Sequence, residues 1–74
     1  MIAKNGTRVL VRDLNTRQER LFVIGKDSLF QNDQVDPDSP TGKSLCGHKI
    51  DEVINLITPE GEKGSYEVLD VLKI

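Results

Sequence analysis

The sequence predicts an α+β fold: a largely antiparallel sheet of four to five strands packed on one short helix. Three observations carry that expectation. Apolar and polar residues alternate with a period of two over residues 7–12, 52–58 and 65–72, as half-buried strands require. The stretches 13–17 and 59–64 have turn composition and lie between apolar runs, so each joins neighbouring strands. Only Asp38–Gly47 combines a helix cap, a helix start, an apolar stripe and a helix stop.

Residues 1–6 carry no periodic pattern, and Asn5-Gly6 reads as a turn. From Thr7 the first strand places Val9 and Val11 on one face and Arg8, Leu10 and Arg12 on the other. Asp13–Arg17 is turn-like, and Arg20–Ile24 supplies the branched and aromatic residues of a second strand, ended by Gly25. The two form an antiparallel hairpin. Within 26–34, Leu29 and Phe30 are apolar islands expected to tuck over a sheet edge. Val35-Asp36-Pro37 is expected to be a short extended edge segment, because proline disfavours helix in the residue before it and cannot donate to a ladder.

In the helix, Ser39 is placed to accept from a free amide of the first turn, and Pro40 occupies the first helical position, where no donor is lost. Gly47 ends it. Thr41, Leu45 and Cys46 make a narrow inward face, while Lys43 and Ser44 are expected in water. A helix this short does not persist alone, since nucleation is costly, so the sheet must hold it. His48–Asp51 turns into the strand 52–58, with Ile54 and Leu56 facing one way. Pro59–Gly64 is a hairpin connection whose two glycines can take positive φ. The last strand sets Tyr66 and Val68 opposite Glu67 and Leu69, with Val71 returning inward after a bulge.

Seventy-four residues make one compact domain, residues 1–74, with a small stability margin, because a chain this size buries only about two thirds of its unfolded surface. No apolar run approaches the roughly 20 residues of a membrane helix, and the N-terminus lacks the apolar core of a signal peptide; a cytoplasmic context is expected. A formal net charge of −2 disfavours direct binding to a nucleic-acid backbone, so the expected partner is a protein. The single cysteine, Cys46, excludes an internal disulfide and a cysteine metal cage, and is read as a buried, inert thiol.

Three motifs invite a chemical reading. Gly42-Lys43-Ser44 matches the end of a phosphate-binding loop, but Pro37 stands where that loop needs glycine, and Pro37 and Pro40 remove two amides. Asp33, Asp36 and Asp38 lack calcium-loop spacing and read as a solvated acidic loop, with Asp38 near the helix N-terminus. His48, the only histidine, follows the helix C-terminus and has no nucleophile at a recognised spacing. No catalytic group, metal site or cofactor is expected.

Ser39-Pro40, Gly42-Lys43-Ser44-Leu45, Gly47, Glu52, Thr58-Pro59-Glu60-Gly61 and Tyr66-Glu67-Val68-Leu69 together resemble the C-terminal domain of the bacterial Gre transcript-cleavage factors. Upstream, Gly6-Thr7-Arg8-Val9 is similar to that family's Gly-Ser-x-Val strand, and Phe22-Val23-Ile24-Gly25 to its Tyr-x-Ile-Val-Gly. The resemblance covers residues 6–74 and implies an FKBP-like fold, a curved antiparallel sheet wrapped on one short helix. It also implies docking on the rim of the RNA polymerase secondary channel, where the family's N-terminal coiled coil carries acidic tip residues to the catalytic magnesium. No heptad pattern precedes Thr7, so cleavage stimulation is not assigned to this chain.

By position, the implied docking surface is Asp38, Ser39 and Pro40, with Thr41 and Lys43 beside it. Three residues depart from the family pattern: Pro37 replaces an apolar strand residue, Asp51 a turn glycine, and Glu52 an aspartate. Asp51 need not break its turn, because aspartate tolerates left-handed geometry better than most residues. The expected function is that of a monomeric, polymerase-binding module of the elongation-factor family and not an enzyme. The alternatives are an FKBP-type peptidyl-prolyl isomerase, which needs an apolar, aromatic-lined pocket, and a generic interaction domain of a larger protein. Against the isomerase, Phe22, Phe30 and Tyr66 are the whole aromatic supply.

Overall fold

The computed structural model describes residues 1–25 and 34–73. In chain order these form β1 (Thr7–Asp13), β2 (Glu19–Ile24), β3 (Gln34–Val35), α1 (Pro40–Leu45), β4 (Val53–Ile57) and β5 (Lys63–Lys73). The five strands lie in the order β3-β2-β1-β5-β4, one curled sheet with the helix against it. Every pairing is antiparallel except that of β2 with β3, which is parallel. Leu29 and Phe30 lie outside the described residues.

Alternation decides which face is core. Val9 and Val11 of β1, Phe22 and Ile24 of β2, Leu56 of β4 and Val68 of β5 are fully buried on the inner face. In β5 the register slips, since Leu10 pairs with Asp70 whereas Val11 pairs with Val68, leaving Leu69 unpaired. That bulge resets the alternation, and Val71 returns to the core. The helix contributes Leu45, also fully buried. Burial of such a side chain is worth about 1.5–3 kcal/mol, enough to hold six helical residues that would not persist alone.

Several local expectations change. Cys46 is the C-cap, half-buried rather than buried, and packs against the core. Gly47 follows with φ +89°, the left-handed stop expected of it. Of the two hairpin glycines only Gly61 takes positive φ, whereas Gly64 is an extended strand residue. Arg17 takes φ +68° in the first turn, which its residue type does not announce. The patternless N-terminus is anchored: the Ala3 amide donates to His48 O and its carbonyl accepts from Gly47 N, each at 2.8 Å. Ala3 is buried there, closing the sheet over the end of the helix.

Candidate functional site

The chain enters the helix through a corner held by hydrogen bonds around Asp36 and Ser39. Asp36 accepts the Asp38 amide on its carboxylate at 2.8 Å, and its carbonyl accepts both the Ser39 amide at 2.9 Å and the Ser39 hydroxyl at 2.6 Å. Ser39 Oγ in turn accepts from Gly42 N at 3.0 Å, satisfying an amide that the first turn leaves without an intrahelical partner. Gly42 presses so close that a Cβ there would overlap the Asp36 carbonyl oxygen and lie 2.8 Å from Pro37 Cα. The phosphate-loop look of Gly42-Lys43-Ser44 therefore has a packing origin.

Ser44, expected in water, is half-buried. Its hydroxyl donates to Pro40 O at 2.8 Å and accepts from Ile57 N at 3.3 Å, tying the helix to the end of β4. Asp38, Pro40 and Lys43 are exposed and Ser39 is half-buried, so four of the five expected surface residues reach solvent. Thr41 does not: it is 3% exposed and packs inward. Beside the corner lies a shallow hollow of about 330 Å³, walled by Val35, Asp36, Pro40, Thr41, Ile57 and Pro59. The hairpin side of that wall is held by Thr58, whose amide donates to Glu62 O at 2.8 Å and whose hydroxyl accepts from Glu62 N at 3.1 Å.

Two features escaped the sequence reading. A larger, mainly polar hollow of about 640 Å³ opens between the β1–β2 turn and the β4–β5 hairpin, with Asp13, Thr16, Arg20, Lys63 and Tyr66 in its lining. At its edge the Arg20 guanidinium lies 4.8 Å from the Phe22 ring centroid and donates to both Glu60 carboxylate oxygens, at 2.9 and 3.4 Å. That contact spans 40 residues, so no local pattern could reveal it. Phe22 and Tyr66 are buried in the core, and neither ring is left to line an apolar pocket of the isomerase kind.

Three further groups are shifted by their local surroundings. The His48 hydrogen bond at 3.0 Å and the Lys49 amide at 2.8 Å hold the Glu52 carboxyl below the usual range, clamping the turn after the helix. The Cys46 thiol is raised, chiefly by burial and then by the Asp38 charge, which makes it a poor nucleophile. Burial also raises the Tyr66 phenol, with Asp13 adding to it. Asp33 lies outside the described residues, and among those described no three His, Cys, Asp or Glu side chains converge as metal ligands. No helix of the described residues is long and apolar enough to cross a membrane.

A curled five-stranded sheet closed by one short helix, presenting a rigid corner at the helix start, defines a small α+β half-barrel domain. Comparison with known proteins is specific: the family described as "Transcription elongation factor, GreA/GreB, C-term" matches residues 3–73. The chain belongs to that family. It is 35% identical over 68 residues to the transcription elongation factor GreA of Yersinia pestis, covering 89% of this chain and 42% of the relative. It is also 35% identical over 69 residues to GreA of a Thermotoga species, covering 90% and 44%. The chain thus spans less than half the length of these curated relatives.

Among solved structures, GreA factor homolog 1 of Thermus thermophilus superposes with a TM-score of 0.81 over 96% of this chain and 48% of that one, at 24% identity. At that identity the likeness establishes the fold alone. The FKBP-like description fits it loosely.

Proposed function

We propose that this domain is a docking module for RNA polymerase, seated near the secondary channel through the corner Asp38-Ser39-Pro40. Lys43 flanks the contact and Thr41 supports it from within. The observation that carries the proposal is a corner exposed at Asp38 and Pro40 yet locked by four hydrogen bonds around Asp36 and Ser39. A surface already fixed before binding loses little conformational entropy on association. Family membership supports that choice of partner, since the relatives are transcription elongation factors. The module docks as a single copy, in the cytoplasm, without cofactor and without touching nucleic acid. Transcript cleavage is not part of the proposal, because the family's acidic tip residues belong to a coiled coil outside the matched residues.

The test is binding of the chain to core RNA polymerase, immobilised, with Asp38→Asn and Pro40→Asn compared with wild type. Thermal melts check that each variant stays folded. Each is expected to weaken binding by about tenfold or more, the loss of roughly 1.4 kcal/mol that a central contact commonly carries. Retention of both variants at the wild-type level removes this surface from the assignment.

A further inference from the structure

The sheet ends in two unequal edges. On one side β3 is two residues long and is followed by Pro37, which has no amide to offer, so that edge is blunted. On the other side lies β4, Val53-Ile54-Asn55-Leu56-Ile57, with no charge, proline or bulge within it. Thr58 N donates to Glu62 O at 2.8 Å and Val68 N to Glu52 O at 2.9 Å, fixing which residues face β5. By antiparallel alternation the backbone groups of Val53, Asn55 and Ile57 then point away from β5. Ser44 Oγ takes the Ile57 amide, whereas those of Val53 and Asn55 have no backbone partner among the described residues. Val53 is also the most exposed large apolar side chain described, at 63%.

We propose that this edge pairs with the same edge of a second copy, antiparallel, about a two-fold axis at Ile54. Val53 of each copy lies opposite Asn55 of the other, and the two pairs together exchange four backbone hydrogen bonds. Self-pairing fits because one segment supplies both the free donors and the free acceptors, and the register ends itself. The next pair would be Ile57 with Asp51, but the Ile57 amide is held by Ser44 and the Asp51 amide by Val68 O at 2.8 Å. No like charges meet along the uncharged strand, and a net charge of −2 opposes the approach of a second copy only weakly. A pairing this short buries well under the roughly 1,200 Å² of stable interfaces, so the dimer is weak and concentration-dependent. The paired residues exclude the Asp38–Pro40 corner, so self-association and polymerase docking are separate readouts.

The test is sedimentation velocity on the full chain from micromolar to millimolar concentration, for wild type, Val53→Lys and Asn55→Pro. Proline at 55 removes only an outward amide and leaves the β4–β5 ladder bonded, and Val53→Lys changes an exposed side chain; melting curves verify both folds. Wild type is expected to shift from monomer to dimer as concentration rises, with the Val53 and Asn55 amide resonances moving in step. Both variants are expected to remain monomeric throughout. A wild type that stays monomeric at every concentration overturns the proposal, as does a dimer that persists undiminished in Asn55→Pro.

Discussion

At the scale of single residues, two backbone positions reverse what propensity alone would say. Gly42 sits inside a helix, where alanine is ordinarily better by about 0.8–1 kcal/mol. Here a Cβ would meet the Asp36 carbonyl and the Pro37 backbone, neither of which is a flexible side-chain end. Overpacking of this kind costs about 1–3 kcal/mol, so Gly42→Ala is expected to destabilise by up to about 2 kcal/mol net. Asp51 is the opposite case. It holds φ +75° at a bulge where its amide and the Glu52 carbonyl both bond Val68, a geometry glycine adopts without strain. Asp51→Gly is expected to stabilise by up to about 1 kcal/mol, since the left-handed penalty outweighs the added freedom of the unfolded chain. Urea denaturation of both variants checks the pair, and a stabilised Gly42→Ala would refute the close-packing account.

At the scale of elements, the turn between α1 and β4 is a clamp made by Glu52, which accepts from Lys49 N and bonds His48. Its carboxyl lies below the usual range, with the His48 hydrogen bond as the largest cause. A group depressed in the folded state is ionised there more readily than in the unfolded chain, so it favours folding above its unfolded value. That contribution is lost as pH falls through the folded value. Asp13, lowered by the Asn15 amide, and Glu60, lowered by Arg20, act in the same direction. Glu52→Gln is therefore expected to melt lower than wild type at neutral pH and to converge with it in acid. Melting temperature followed from pH 7 down through the carboxylate range, about 4, measures this. Parallel curves at every pH would show that the clamp carries no ionic contribution.

At the scale of the whole molecule, the strand order makes β1 central and β4 a sheet edge, flanked at Ile57 by Ser44 of the helix. Val9 and Val11 are bracketed by β2 and β5 and fully buried, whereas Val53 and Asn55 face outward on the edge. Hydrogen exchange is expected to follow that order, with the β1 amides of Val9 and Val11 slowest and those of Val53 and Asn55 among the fastest. At the concentrations where self-pairing occurs, only the latter two should gain protection. Uniform protection along β4 in dilute solution would mean that the edge is already covered.

The sequence by itself determined the element list, the inward faces of Val9, Val11, Ile54, Leu56 and Val68, the Ser39-Pro40 helix start, and the family. Each of these is written in local periodicity or in a short run of neighbouring residues, which is the information a linear chain exposes. Only the tertiary structure decided the parallel pairing of β3, the anchoring of Ala3 to the helix end and the Arg20–Glu60 clasp. It also explained Gly42, whose missing side chain makes room for a backbone from another turn. The physical reason is the same throughout: these contacts join segments through the curl of the sheet, and their energy belongs to pairs of residues that carry no common period.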